Sequence, residues 1–131
     1  KVKLNIVPAA NKQILVNADK KRIRQVLTNL IENSLKYSAD ENAMTKISFY
    51  DMDEHILIEV TDNGIGVSEQ DLPRLFERFY RTDKSRSRSE GGTGLGLSIV
   101  KHIIEAHDQT INVRSSLGVG TTFGFTLEKG N

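Results

Sequence analysis

Ile23, Val26, Leu27, Leu30, Ile31 and Leu35 recur at helical spacing, so one helix with a single apolar stripe is predicted, running from Asp19 as N-cap to about residue 37. Downstream the period changes from 3.6 to 2. Ile47 and Phe49, then Ile56, Ile58 and Val60, then Ile111 and Val113, then Phe123, Phe125 and Leu127 alternate with polar residues. Each such strand has one apolar face, and a sheet of them is covered by helices on one side only. The prediction is an α/β (α+β) two-layer sandwich, with a mixed, mostly antiparallel sheet of about five strands packed on about three helices.

Further elements follow from local signals. Residues 2–7 and 14–16 read as short strands around Pro8. Residues 51–54 join two strands as a hairpin, and a short helix is expected after Ser68, with Asp71 in a capping-box position. Ile99, Val100, Ile103, Ile104 and His107 form the stripe of a later helix. A chain of 131 residues is one domain, 1–131, with a single core. The strand-like pattern in its first residues is expected of a piece of a longer protein.

Composition narrows the chemistry. The formal net charge is +1, so no global field points to nucleic acid. There is no cysteine, which removes thiol chemistry, and three histidines without cysteine argue against structural zinc. No apolar run approaches the ~20 residues that span a bilayer.

Four segments carry polar chemistry. Asn29, Asn33, Lys36 and Tyr37 share one face of the first helix, beside its apolar stripe. Such a wall suits Mg²⁺, which prefers oxygen ligands, and phosphate charge; it also suits a solvated helix face. Asp62-Asn63-Gly64-Ile65-Gly66 ends a strand with a carboxylate and two glycines. It is either a plain turn or a buried acceptor for a base amino group, with Ile65 against the ring. Residues 77–93 are basic and poorly periodic, a length of loop that is usually functional or disordered. They could close over a polyphosphate, solubilise the chain or meet an acidic partner. Finally, Gly91, Gly92, Gly94 and Gly96 run straight into the last helix, as a hinge or as a phosphate-facing helix start.

The order and spacing of these segments are more specific than any one of them. Asn33 with Lys36-Tyr37, Asp62-x-Gly64-x-Gly66, Phe76-x-x-Phe79, Gly92-x-Gly94-x-Gly96 and Gly118-x-Gly120-Thr121 resemble the N, G1, F and G2 boxes and final glycine turn of the catalytic ATP-binding domain of bacterial sensor histidine kinases. The resemblance runs from about residue 17 to 127. It implies the Bergerat fold shared with gyrase-type ATPases, and ATP and Mg²⁺ as ligands. It implies Asn33 as the metal ligand, with Asn29, Lys36 and Tyr37 near phosphates or ribose. Asp62 is then the adenine partner, and Gly64, Ile65 and Gly66 shape the base pocket. Residues about 67–93 become the ATP lid, its mobile part 77–93, with Phe79, Arg78 and Arg81 turned to the nucleotide. Gly92, Thr93, Gly94, Leu95, Gly96 and Leu97 form the lid hinge and phosphate-facing helix start. Thr122 is expected to reach the adenine through water. Asn29, Asn33, Lys36 and Arg81 are the residues expected in the chemistry.

One position separates the branches of that family. Gyrase-type ATPases carry a glutamate one turn before the metal-binding Asn. Here that position is Asn29, an amide with no useful basicity. Transfer to a protein side chain is therefore expected over hydrolysis; the alternatives are a gyrase- or chaperone-type ATPase and a non-catalytic nucleotide sensor. Glu32 is rotated roughly 100° from Asn33 and is expected to face solvent or a neighbouring domain.

Asp108-Gln109 stands where such domains place a glycine, and Asp tolerates the left-handed turn required. His55, His102 and His107 all lack the context of a phosphoacceptor; His107 is expected to be a satisfied core residue. The acceptor is expected on a helical dimerisation domain preceding this chain, which would be monomeric alone and part of a homodimer at full length. A response regulator is the implied downstream partner. No nucleic acid and no direct membrane contact are expected of this domain. It is expected in the cytoplasm, within a protein anchored in the cell membrane.

Overall fold

The Asp19 carboxylate opens the first helix as predicted. Its Oδ1 accepts the N–H groups of Lys21 (3.0 Å) and Arg22 (3.2 Å), which have no intrahelical partner. A computed structural model describes residues 3–7, 16–36, 43–77 and 96–130. They form strand β1 (Lys3–Val7), β2 (Val16–Asn17), helix α1 (Lys20–Lys36), β3 (Met44–Met52), β4 (His55–Asp62), a 3-10 turn (Leu72–Arg74), α2 (Gly96–Ala106), β5 (Ile111–Ser116) and β6 (Gly120–Lys129). The sheet runs β1-β3-β4-β6, with β5 and the two-residue β2 lying along the other side of β6. Among the described residues only β1 and β3 pair in parallel. The described residues thus contain the mixed, mostly antiparallel sheet that the alternation predicts. Two α-helices and one 3-10 turn accompany it.

Alternation decides which face is buried. Ile56, Ile58 and Val60 of β4, and Phe123, Phe125 and Leu127 of β6, point to one side and pack on Val26 and Leu30 of α1 and Val100, Ile103 and Ile104 of α2. Burying one such large side chain is worth about 1.5–3 kcal/mol, so this layer dominates the driving force for folding. Phe76 packs edge-on against Phe123, with ring centroids 6.0 Å apart, and so fixes the chain just after the 3-10 turn to the sheet.

Turn chemistry sets the registers. β3 and β4 meet through a two-residue turn at Asp53-Glu54, with Asp53 at φ 71° and its N–H bonded to Asp51 Oδ1 (3.0 Å). Strand β3 reaches two residues further into the 51–54 segment than alternation alone indicates. After Ser68 the sequence yields a turn rather than a regular helix. The Ser68 carbonyl accepts the N–H groups of Asp71 (3.0 Å) and Leu72 (3.2 Å), and its hydroxyl donates to Asp71 Oδ2 (3.0 Å). Pro73 lies inside the 3-10 turn and has no N–H to extend it.

The end of α2 follows the left-handed exit expected of Asp108. Its φ is 59°, and the N–H groups of His107 and Gln109 both bond to the Ile104 carbonyl (3.0 and 3.1 Å). None of the described helices is long and apolar enough to cross a membrane.

Candidate functional site

Asp62 is the last residue of β4 and belongs to the inward set, so its carboxylate is carried into the layer between sheet and helices at 8% exposure. Oδ1 accepts the backbone N–H of Gly64 (2.9 Å) and that of Thr121 (3.2 Å). Among the described residues no donor reaches Oδ2. Burial pushes the Asp62 carboxyl above its usual value, and the two N–H groups only partly offset this. The result is a rigidly oriented carboxylate with one oxygen committed and one left to accept a hydrogen bond from a ligand N–H.

The glycines beside Asp62 act through contact with the opposite turn. Gly66 has φ 77°, and a Cβ there would overlap the Ser116 carbonyl oxygen and stand 3.0 Å from Leu117 Cα. Gly120 has φ 144°, and a Cβ there would overlap the Asp62 carbonyl oxygen and stand 2.9 Å from Asn63 Cα. The two segments are also hydrogen-bonded. Gly118 N–H donates to the Ile65 carbonyl (2.9 Å), and Val67 N–H donates to Ser115 Oγ (2.7 Å). Ser115 Oγ in turn donates to the Gly120 carbonyl (2.9 Å) and lies 2.7 Å from Thr121 Oγ1. The segment after β4 is therefore clamped by the β5–β6 turn.

The ladder places Thr121 and the expected Thr122 on opposite faces of the sheet. Asp62 pairs with Thr121, which faces inward and is buried. Thr122 points to the outer face of the sheet, where its hydroxyl lies 3.0 Å from that of Thr61. A strand alternates sides at every residue, so Thr122 is separated from Asp62 by the sheet itself. Thr121 is the hydroxyl beside the carboxylate. Ser115 and Thr121 were hidden from sequence reasoning because their roles depend on cross-strand register.

A second unforeseen pair fixes α1 over this end of the sheet. Thr45 lies opposite Asp62 in the β3–β4 ladder, and its hydroxyl bonds to that of Ser34, both fully out of solvent. Ser34 directly follows Asn33 on α1, so this bond sets Asn33 at the same end of the sheet as Asp62. Asn33 is half-buried, and its carboxamide makes no hydrogen bond among the described residues. Lys36 ends the helix half-buried, and Glu32 is exposed. Asn29, one turn earlier, donates from Nδ2 to the Gly96 carbonyl at 3.3 Å. Gly96 opens α2 in open space, and Leu97 packs against the core. Tyr37, Arg78, Phe79, Arg81, Gly92, Thr93, Gly94 and Leu95 lie outside the described residues.

Among the described residues no three His, Cys, Asp or Glu side chains gather to hold a metal. A cation here would rest on an amide oxygen and on oxygens brought by a ligand. That suits Mg²⁺, which commonly takes one or two protein ligands with substrate phosphates and waters. The half-buried, unpaired Asn33 carboxamide fits such a ligand.

His107 is satisfied as expected but lies at the edge of the core rather than in it. His102 is exposed. His107 is half-buried, with Nδ1 against the Ile103 carbonyl (2.8 Å) and Nε2 accepting the Asp19 N–H (3.0 Å).

Residues 18–131 match the family of histidine kinase-, DNA gyrase B-, and HSP90-like ATPases. The chain is 44% identical over 118 residues to the sensor histidine kinase WalK of Bacillus subtilis (strain 168), covering 89% of this chain and 19% of that protein. It is equally similar to the sensor-like histidine kinase SenX3 of Mycobacterium tuberculosis (strain H37Rv), covering 90% of this chain and 28% of that protein. It therefore spans well under a third of these relatives. Among solved structures, the catalytic domain of histidine kinase ThkA superposes with a TM-score of 0.77 at 31% identity, over 98% of this chain and 79% of that one. The mycobacterial sensor histidine kinase MprB superposes with a TM-score of 0.81 at 26% identity, over 98% and 83%. The chain belongs to the histidine kinase-, DNA gyrase B- and HSP90-like ATPase family, as an ATP-binding catalytic domain of the sensor histidine kinase kind.

Proposed function

We propose that this domain binds Mg–ATP and donates the γ-phosphoryl group to a histidine on the dimerisation domain of a longer kinase. That histidine passes the group to an aspartate of a response regulator. The observation that carries the reading is Asp62, a buried carboxylate with Oδ1 held by two backbone N–H groups and Oδ2 left to accept from an adenine amino group.

The residues divide the work as follows. Asp62 reads the base, Gly64, Ile65 and Gly66 shape its pocket, and Thr121 takes the place beside the carboxylate that Thr122 cannot reach. Asn33 would hold Mg²⁺ by its amide oxygen, and the ion would supply positive charge to offset the phosphates. Lys36, Arg78 and Arg81 neutralise the phosphates, with Tyr37 and Phe79 at their edge. The stretch Gly92-Thr93-Gly94-Leu95-Gly96-Leu97 brings backbone N–H groups to the phosphate end. Positioning and charge stabilisation supply most of the rate in such transfers. As the histidine nitrogen bonds to the γ-phosphorus, the bond to the bridging oxygen breaks and ADP leaves with its electron pair. Asn29 offers no base to activate water, which favours transfer over a hydrolytic cycle.

The whole kinase is proposed to be a homodimer anchored in the cell membrane, with this domain in the cytoplasm, where ATP and the regulator are found. Incubating the longer protein with γ-labelled ATP tests the reading. An acid-labile, base-stable label on histidine supports it. Steady phosphate release with no protein label contradicts it.

A further inference from the structure

We propose that Asn29 is a positioning residue that tethers the opening turn of α2, and that the carbonyl it holds keeps position 29 closed to a carboxylate. The proposal deepens the functional reading above and rests on it for the nucleotide part alone.

The Nδ2 of Asn29 donates to the Gly96 carbonyl at 3.3 Å, across 67 residues of chain. Gly96 is the first residue of α2, and a Cβ added to it would meet nothing within 4 Å. Side-chain packing therefore does not hold this residue; the tether grips its backbone. Deeper along α2, Val100, Ile103 and Ile104 are fully buried against the sheet and α1, whereas Leu97 and Ile99 in the opening turn are only partly buried against the core. On α1, Asn29 directly precedes Leu30, which is fully buried, so its own backbone is fixed. A rigid donor thus meets the first residue of α2, the one its own side chain cannot anchor, at the end of the helix where packing is thinnest.

The chemistry of the pair is directional. A carbonyl oxygen only accepts, so position 29 must donate. The amide of asparagine does so through Nδ2. An ionised aspartate or glutamate would turn acceptor against acceptor, with no proton between the oxygens. The tether therefore explains why this position holds an amide: a carboxylate that could serve as a general base would release the turn that carries the phosphate-facing N–H groups. Asn33 and Asn29 share a helix face but differ in task, one as a metal ligand and one as a tether.

The test uses the 131-residue chain with Asn29→Ala and Asn29→Asp. Amide hydrogen exchange in the nucleotide-free protein reads the tether directly at Val100 and Lys101, whose N–H groups bond back into the opening turn. Loss of one hydrogen bond should speed exchange there by roughly 5–10-fold, with smaller changes at Ile103 and Ile104. Calorimetry then compares ATP and AMP, each with Mg²⁺ and with EDTA. ATP affinity should fall by about tenfold in both variants, equally with and without Mg²⁺, and AMP affinity should stay within about twofold. A loss of ATP affinity that vanishes in EDTA would make Asn29 a metal ligand and overturn the proposal. So would unchanged exchange at Val100, or steady ATP hydrolysis appearing in Asn29→Asp. If the wild-type chain bound no ATP at all, the functional reading would fall, and exchange at Val100 alone would decide the tether.

Discussion

The Asp19 N–H donates to Nε2 of His107 at 3.0 Å, joining the start of α1 to the end of α2. The same imidazole meets the Ile103 carbonyl through Nδ1 at 2.8 Å. One ring therefore needs its proton on Nδ1 and its lone pair on Nε2, the neutral tautomer. The two helices that cover the sheet are fastened together at the end of α2, away from the Asn29–Gly96 contact at its start. His107→Leu keeps the bulk and removes both bonds. It should cost about 1–2 kcal/mol, a fall in Tm of several degrees for a domain of this size. Thermal melts of the variant check this, and an unchanged Tm would contradict it.

The clamp around Asp62 predicts a ranking among three glycines. Gly66, Gly118 and Gly120 all have positive φ, but only at Gly66 and Gly120 would a Cβ overlap backbone. Alanine at Gly118 should cost about 1 kcal/mol from conformation alone. Alanine at Gly66 or Gly120 should cost at least about 2–3 kcal/mol, because the β5–β6 turn must shift. Urea unfolding of the three variants gives the order. A Gly118 variant as unstable as the other two would contradict it.

Asp108 supplies a prediction in the stabilising direction. Its φ of 59° is costly for a residue with a Cβ. Asp108→Gly should raise stability by about 0.5–1 kcal/mol, the strain relieved being partly offset by glycine's greater freedom when unfolded. Its Tm should exceed that of the wild type.

Asp62 couples pH to both stability and binding. Burial raises its folded-state pKa above the ordinary 3.8. The folded protein then holds a proton that the unfolded chain has already lost. This group's contribution to stability therefore grows as pH falls through the raised value towards 3.8, and above that window it is a constant penalty. Asp62→Asn removes the penalty and should leave Tm at pH 7 unchanged or higher. Binding moves the other way. As pH falls through the raised value, Oδ2 gains a proton and stops being a pure acceptor. The ratio of wild-type to Asp62→Asn affinity for ATP should shrink across that window, and a ratio constant with pH would contradict the assignment.

Much of this was legible in the sequence because it is periodic. The stripe from Ile23 to Leu35 and the alternation at Ile56, Ile58 and Val60 specify which faces are buried, and burial specifies the two layers. Asp62 with its glycines was legible because a carboxylate at the end of an apolar strand needs donors. The register of β6 was not. Deciding between Thr121 and Thr122 requires knowing which of them pairs with Asp62, and that is set by Gly120 pressing on the Asp62 carbonyl. The Ser34–Thr45 bond was hidden for a similar reason. Each residue reads as an ordinary polar position until α1 is laid over β3. The Asn29–Gly96 contact spans helices whose relative height no local pattern encodes.

In the proposed reading Asp62 and Asn33 build one site for Mg–ATP. Isothermal titration of the 131-residue chain with ATP, with and without Mg²⁺, tests it most directly when repeated on Asp62→Asn and Asn33→Ala. The wild type should bind ATP more tightly with Mg²⁺, and Asp62→Asn should lose roughly 10–100-fold in affinity under both conditions. Asn33→Ala should lose affinity only when Mg²⁺ is present. ATP binding untouched by Asp62→Asn, or no ATP binding by the wild-type chain in either condition, would contradict it.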